Sequence, residues 1–388
     1  MSDLAMVLAA LAVLLGLARL FGSAATRLGQ PAVIGELVCG LLIGLALAAG
    51  PEPSLAVGTT LDAIAQLGLI LFLFCVGVRL APSITRRGAG AALVPALGAA
   101  VVPFLLGALL ALWLAPRHAP AGTVPFIVFT AAAMAVTAFP VLARILAERG
   151  MLGEAAGQHA LSAAALTDVA AWTVLAVVAA SLDHRAPLWP LALIVPVLLA
   201  LLVLTRPWFE PWMARQSRQT TRTVMVVLAC AGAGATDAIG LHAAFGAFLT
   251  GVAVGRSLPR LDPAELVTPL GSALVPLYFV LIGRTIEPGG LDLLLLAETA
   301  VVIAVAVLGK CGGAYLGARL AGQPPPAAAV FAALMNTRGV TELVFLSIGL
   351  SLGVIDSAIY TAMVVMALVT TAMTGPLLNR LRQPNEVH

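Results

Sequence analysis

The stretch GQHALSAAALTDVAAWTVLAVVAAS (residues 157–181) is a long apolar run with one acid, Asp168, near its centre. A run of this length fits the hydrocarbon core of a bilayer, which is ~30 Å thick and is crossed by about 20 helical residues. Similar blocks recur along the chain, in which 61% of residues are hydrophobic and 10% are charged. Soluble domains carry about 25% charged residues. The sequence therefore predicts an all-α membrane protein, with the lipid bilayer as its surroundings.

We predict thirteen transmembrane helices, joined by short connections rich in Pro, Gly and charge. The spans are residues 3–22, 31–50, 59–79, 90–115, 123–147, 157–181, 188–205, 222–236, 238–256, 266–284, 292–319, 327–351 and 357–379. Thirteen spans divide as six, one linker and six, and an offset of seven inserts the second six in the opposite sense. We therefore expect an inverted repeat: a first half over 1–182, a linker helix and cytoplasmic loop over 183–221, and a second half over 222–388.

Basic residues predict the orientation. Of the 21 Lys and Arg residues, most lie in every second connection between the predicted spans or at the span ends beside it. In the intervening connections lie only Arg117, Arg185 and Arg284. Cytoplasmic connections are the ones enriched in Lys and Arg. We expect a multi-pass protein of the plasma (inner) membrane with its N-terminus outside and its C-terminus in the cytoplasm.

Two spans carry signals of a broken helix at matching positions of the two halves. Pro140 removes a backbone donor from the fifth span and disfavours helical geometry at Phe139. In the twelfth span, Asn336, Thr337 and Arg338 precede Gly339 at mid-membrane. Paired broken helices point to a transporter's binding site, whereas the alternative is two kinked packing helices.

Ionisable residues inside a span are costly, so they mark functional cavities more often than surfaces. Four lie well inside: Asp168, Lys310, Arg338 and Glu342. Desolvation favours the neutral form of Asp168, so the acid can hold either a proton or, as a hard oxygen ligand, a dehydrated monovalent metal cation. The alternative is a structural ion pair between Asp168 and Lys310.

Three roles are open for Lys310: charge compensation beside the site, an interaction with the carbonyl end of a broken helix, or a second proton carrier. Arg338 and Glu342 are four residues apart, hence on one helix face, where they either brace the broken helix or act on the substrate. Thr137 at the first break and Thr167 beside Asp168 are candidate ligands, although most intramembrane Thr hydroxyls bond to their own helix.

At these residues the chain resembles the monovalent cation:proton antiporter-2 family, which includes bacterial Kef- and NapA-type proteins and plant cation/proton exchangers. The stretches that carry the resemblance are GQPAVIGE (29–36), FPVLARIL (139–146), TDVAAW (167–172), IGLHAAFGAF (239–248) and MNTRGVTEL (335–343). They occur in the family's order along nearly the whole chain.

The resemblance implies a dimeric thirteen-helix inverted repeat whose two broken helices cross in a core domain that moves in an elevator-like way. It also implies that Asp168 matches the family's ion-carrying aspartate and Lys310 the basic residue near the site. The chain departs from the family at Thr167, where related members have Asp or Asn. With Thr at this position, no second carboxylate next to Asp168 is available to pair with Lys310.

We therefore expect an antiporter that exchanges Na⁺ or K⁺ for H⁺, one for one if Asp168 alone titrates. Two alternatives are a gated monovalent cation channel and an organic-anion transporter on a related scaffold. The sequence shows no phosphate loop, metal-ligand spacing or nucleophile triad, so we expect neither an enzyme nor a cofactor, and no nucleic-acid partner.

Overall fold

A computed structural model describes residues 2–48, 55–80, 86–151, 154–182, 208–238, 243–255, 268–284 and 293–382. The helices are α1 (Asp3–Arg27), α2 (Ala32–Ala48), α3 (Leu55–Leu80), α4 (Arg86–His118), α5 (Thr123–Ala135), α6 (Phe139–Glu148), α7 (Ala155–Leu182), α8 (Arg218–Asp237), α9 (Ala243–Gly255), α10 (Thr268–Arg284), α11 (Leu293–Leu320), α12 (Pro325–Met335), α13 (Val340–Ser351) and α14 (Ser357–Arg382). Residues 208–214 are helical as well, and the described part of the chain contains no strand. The linker helix predicted over 188–205 lies outside the described residues.

The helices have the length and composition of membrane spans. Within the described ranges, six helices are long and apolar enough to cross a bilayer, or seven if α12 and α13 form one broken span bent by 44°. Shorter apolar helices cover Ala32–Leu47, Thr123–Ala135 and Gly246–Gly255. The all-helical membrane class is therefore confirmed, whereas the count of thirteen and the inverted repeat remain predictions.

The chain divides into two compact units, each built from separate stretches of sequence. The first unit comprises Met1–Phe21, Glu36–Pro82 and Asp183–Thr285. In it α3 packs against α9 and α10, and a buried apolar cluster includes Phe74 and Met225. The second unit comprises Gly22–Gly35, Ser83–Leu182 and Ile286–His388. It contains α4 to α7 and α11 to α14, and therefore all the charged residues singled out inside the spans.

Small residues let α4 and α11 approach closely in the second unit. A Cβ atom added to Gly98 of α4 would stand 2.5 Å from the carbonyl oxygen of Gly313 on α11. Gly317 lies against the same stretch of α4. Glycines at facing positions allow backbone contact between membrane helices. This contact places α4 and α11 side by side along the site described below.

Gln30 supports α14 at a proline. Pro376 lies inside α14 and has no N–H to give to the carbonyl of Ala372, four residues earlier. The Gln30 side-chain amide donates to that carbonyl instead, at 3.2 Å. The connection between α1 and α2 is thus tied to α14 within the second unit.

Candidate functional site

The first break separates α5 from α6. Helix α5 ends at Ala135, residues 136–138 are non-helical, and α6 begins at Phe139. Pro140 is therefore the second residue of α6, and the break lies just before it. The expectation that Phe139 leaves helical geometry was wrong, because a proline in the first turn of a helix needs no N–H and fits the helical backbone. The proline thus lies in the first turn of the second half-helix.

The second break separates α12 from α13 and contacts the first. Helix α12 ends at Met335 and α13 begins at Val340. The backbone N–H of Ala138 donates to the carbonyl of Thr337 at 3.1 Å, and the Thr137 hydroxyl donates to the carbonyl of Met335 at 3.2 Å. The non-helical segments of the two broken helices therefore satisfy one another's backbone groups.

Asp168 of α7 lies at the start of α6. Its side chain is buried, with 1% of the residue exposed, and Oδ2 accepts a hydrogen bond from the backbone N–H of Phe139 at 3.2 Å. The positive end of a helix dipole favours an anion at this position. The second carboxylate oxygen, Oδ1, has no hydrogen-bond partner among the described residues. A fully buried acid thus stands at a half-helix N-terminus with one oxygen free.

Lys310 of α11 lies at the end of α5. Its buried ammonium donates to the carbonyl of Ala99 at 3.0 Å and to the carbonyl of Ala135, the last residue of α5. The ion pairs among the described residues do not include one between Lys310 and Asp168. Of the arrangements left open by the sequence, the structure shows the contact with a helix carbonyl end. The role of Lys310 in transport stays a prediction.

Arg338 joins the second break to the end of α5. Its guanidinium donates to the carbonyls of Ala133 at 2.9 Å and Met134 at 2.7 Å and forms a buried ion pair with Glu342. With Lys310 on Ala135, three successive carbonyls of the last turn of α5 receive hydrogen bonds from two buried cations. Cations at a helix C-terminus are electrostatically favourable, so this arrangement stabilises the broken end.

The remaining candidates differ in where their polar atoms point. The Thr167 hydroxyl donates to the Ala164 carbonyl of its own helix at 2.9 Å, whereas Thr137 reaches across to α12. The Asn336 side-chain amide donates to the carbonyl of Thr370 at 3.1 Å, and its Oδ1 atom is buried without a partner in the described part of the chain. Thr167 also lines a largely apolar cavity of about 200 Å³ between α4, α5 and α7.

Sequence reasoning did not single out three threonines of α14. Thr371 bonds to the backbone of Arg338 at 2.9 Å, the Thr370 carbonyl accepts from Asn336, and the Thr374 hydroxyl lies 3.5 Å from that of Thr337. Their clustering in an apolar span was the available signal. Threonine is common in membrane helices and usually bonds to its own helix, so that signal was weak.

Two features describe the chemistry that the site can support. Two buried acids and two buried cations, Asp168, Glu342, Lys310 and Arg338, surround the two breaks. Within the described ranges, no group of three or more His, Cys, Asp or Glu side chains is placed to hold a metal ion.

The fold and site define a class: helical membrane proteins with buried charges at two touching helix breaks, an arrangement found in secondary transporters. The chain belongs to the sodium/hydrogen exchanger family, whose transmembrane region it matches over residues 9–381. The resemblance seen in the sequence is therefore confirmed.

Relatives from several kingdoms match along most of the chain. The chain is 33% identical to the Na⁺/H⁺ antiporter NhaS4 of Synechocystis, over 98% of each protein. It is 37% identical to cation/H⁺ antiporter 17 of Arabidopsis thaliana, over 96% of this chain and 48% of the relative. It is 30% identical to K⁺/H⁺ antiporter 1 of Saccharomyces cerevisiae, over 90% of this chain and 43% of the relative. The chain thus spans nearly all of the cyanobacterial relative and about half of the plant and yeast ones.

A solved structure has the same fold. The sodium proton antiporter MjNhaP1 of Methanocaldococcus jannaschii superposes with a TM-score of 0.68 over 97% of both chains, at 16% sequence identity. At this identity the match supports the fold, and the chemistry of the site rests on the residues described above.

Proposed function

We propose that this protein is a secondary antiporter that exchanges a monovalent cation, Na⁺ or K⁺, for H⁺ across a membrane. The observation that carries the proposal is Asp168: a buried acid at the N-terminus of α6, beside two touching helix breaks, with one carboxylate oxygen unpartnered in the described part of the chain. Such an oxygen can accept a proton or coordinate a dehydrated cation, but not both together. Competition at one site that opens alternately to the two sides is sufficient for exchange.

The family supports the same activity. The relatives are described as Na⁺/H⁺, cation/H⁺ and K⁺/H⁺ antiporters, so proton exchange is common to them while the cation differs. Their names fit either cation for this chain. We therefore propose for this chain only the activity that the relatives share, which is the exchange of a monovalent cation for H⁺.

The other buried residues take supporting roles in this proposal. Thr137 and Thr167 offer hydroxyl oxygens near Asp168 as further ligands for the cation. Lys310 compensates charge beside the site from the carbonyl end of α5. Arg338, with Glu342, Asn336 and Pro140, maintains the geometry of the two breaks. If Asp168 alone titrates, one proton is exchanged for one cation and the cycle moves no net charge.

We extend the proposal to the whole fold. Thirteen helices form two inverted halves over 1–182 and 222–388, linked by 183–221, and a homodimer alternates access by an elevator-like movement of the core. The chain lies in the plasma membrane with its N-terminus outside.

Cysteine labelling tests this orientation. In a cysteine-free background, the variants Ala121→Cys and Ala321→Cys should be labelled from the outer and inner face, respectively. Labelling of both from one face would contradict this orientation.

Proton flux in proteoliposomes tests the activity. With the membrane voltage clamped, addition of Na⁺, K⁺, Li⁺ or Rb⁺ to one side should drive protons the other way, for at least one of these cations. A gated cation channel would instead carry the cation without an obligatory proton countermovement. An organic-anion transporter would respond to none of the four cations.

A further inference from the structure

The hydroxyl of Thr371 holds the backbone of Arg338 inside the second break. Thr371 Oγ1 lies 2.9 Å from the backbone N of Arg338, from which it accepts a hydrogen bond. The same atom lies 2.9 Å from the Arg338 carbonyl oxygen and 2.7 Å from that of Ala367. The hydroxyl therefore accepts one bond at the break and donates its single proton to one of these two carbonyls.

This contact supplies a partner that the broken helix lacks. Arg338 lies between the end of α12 and the start of α13 and is fully buried. A buried backbone N–H without a partner is costly, and almost all such groups in folded proteins are paired. Thr371 provides this partner from a different helix, α14.

The position of the Arg338 backbone matters because of what its side chain does. The guanidinium reaches the carbonyls of Ala133 and Met134 at the end of α5 and the carboxylate of Glu342. A planar guanidinium needs its donors aimed at each acceptor. A shift of the Arg338 backbone would move these donors away from the carbonyls at the end of α5. That end of α5 lies next to Thr137 of the first break.

We propose that Thr371 is a positioning residue of the ion site, acting through Arg338 to hold the end of α5 in place. The inference rests on the function proposed above and adds to it a residue from α14 that touches neither ion. Loss of the Thr371 hydroxyl lets the end of α5 relax, so that the site binds its cation more weakly while the conformational cycle remains intact.

The same helix offers a matched control. Thr361 is also buried in α14, at 6% exposure against 5% for Thr371. Within the part of the chain that the structure describes, its hydroxyl bonds to the Ser357 carbonyl of its own helix alone, at 2.8 Å. Replacement of either threonine by valine removes a hydroxyl of the same size and burial, but only Thr371→Val removes a bond to the break.

The experiment measures cation-dependent proton flux for Thr371→Val, Thr371→Ser and Thr361→Val in proteoliposomes. The loss of one buried hydrogen bond corresponds to a change of about tenfold. We expect Thr371→Val to raise the apparent KM for the cation by about this factor and to change the maximal rate less. Thr371→Ser keeps the hydroxyl and should restore the KM, and Thr361→Val should match the unmodified protein.

Two results would overturn the inference: equal KM values for Thr371→Val and Thr361→Val, or the same loss in Thr371→Ser as in Thr371→Val. Should the valine variant fail to fold, Thr371→Ala against Thr361→Ala gives the same comparison. Absence of any cation-dependent proton flux in the unmodified protein would instead refute the proposed function. Arg338→Lys provides a further check, because its effect on KM should not add to that of Thr371→Val if the two act on one contact.

Discussion

Asp168 and Lys310 lie at opposite ends of the first break, and each is held by backbone. The acid accepts the N–H that begins α6, and the ammonium donates to the carbonyl that ends α5. Each charge therefore faces the helix end of opposite polarity, and the two are not paired with one another. This separation leaves an oxygen of Asp168 available to an incoming ion.

Lys310→Met tests the role of the ammonium. The methionine keeps the length of the side chain but leaves the carbonyls of Ala99 and Ala135 without their donor, at about 1–3 kcal/mol for each buried group left unpaired. Removal of a positive charge near Asp168 also favours the protonated acid. We expect a lower thermal stability and transport that persists with its pH profile moved to more alkaline values.

Unfolding temperature and proton flux across a pH series measure these effects. Cys311→Ala, at the neighbouring half-buried position, should leave both unchanged. A Lys310→Met protein with an unshifted pH profile would show that the lysine contributes packing and no electrostatic effect.

At the scale of elements, the structure explains why broken helices can persist in a membrane. Non-helical backbone at membrane depth is tolerated only where protein or water satisfies its polar groups. Here the two breaks bond to one another, two cations bind the end of α5, and α14 bonds to the second break through Thr371. The breaks are therefore stable structural features of the second unit.

Arg338 and Glu342 form the buried pair on which this arrangement depends. Glu342 has Arg338 as its ion-pair partner, whereas Arg338 also holds two carbonyls. Removal of one member of a buried pair costs about 3–5 kcal/mol, because the other charge is left uncompensated. We expect Arg338→Gln to destabilise the protein more than Glu342→Gln.

A double-mutant cycle measured by thermal unfolding checks this prediction. The double variant Arg338→Gln/Glu342→Gln should lose less stability than the sum of the single losses, since it leaves no unpaired charge. Strict additivity of the two effects would mean that the pair does not stabilise the fold.

Gln30 and Pro376 give a second prediction at this scale. Gln30→Leu removes the donor to the Ala372 carbonyl and should cost about 1 kcal/mol of unfolding free energy. In a Pro376→Ala background, residue 376 regains the N–H that bonds four residues back. Gln30→Leu should then have little further effect, as measured by thermal unfolding. An equal cost in both backgrounds would contradict this account of the GQP stretch.

Much of the site could be predicted from the sequence, and the rest depends on tertiary contacts. Asp168 and Lys310 stood out because charges are rare inside apolar spans, and the breaks because proline and glycine interrupt helices. The four-residue spacing of Arg338 and Glu342 predicted a shared face, on which the structure pairs them. The carbonyls that Arg338 contacts lie 205 and 204 residues earlier in the chain. No periodic pattern in the sequence indicates contacts over such a separation. Thr371 and Gln30 were missed for the same reason.

At the scale of the whole molecule, one unit of the chain holds every buried charge of the proposed cycle. The second unit contains both breaks, Asp168, Lys310, Arg338 and Glu342. The second unit also carries a charged cluster around His118, which lies 3.1 Å from Glu298 and 2.7 Å from Asp356. In the same cluster, Arg117 pairs with Glu298 at 2.5 Å. These contacts join α4, α11 and the start of α14, so they tie together the helices that surround the site.

Proton release on cation binding is the sharpest test of Asp168 as a site shared by the proton and the cation. A ligand group must lose its proton before a metal ion can bind it, so the purified protein should release about one proton per bound cation at a pH below that at which Asp168 titrates. Calorimetry in buffers of different ionisation enthalpy counts these protons. Asp168→Asn keeps the shape of the side chain but cannot titrate, and it should release none on cation addition and show no cation-dependent proton flux. Proton release or exchange that persists in Asp168→Asn would contradict the account.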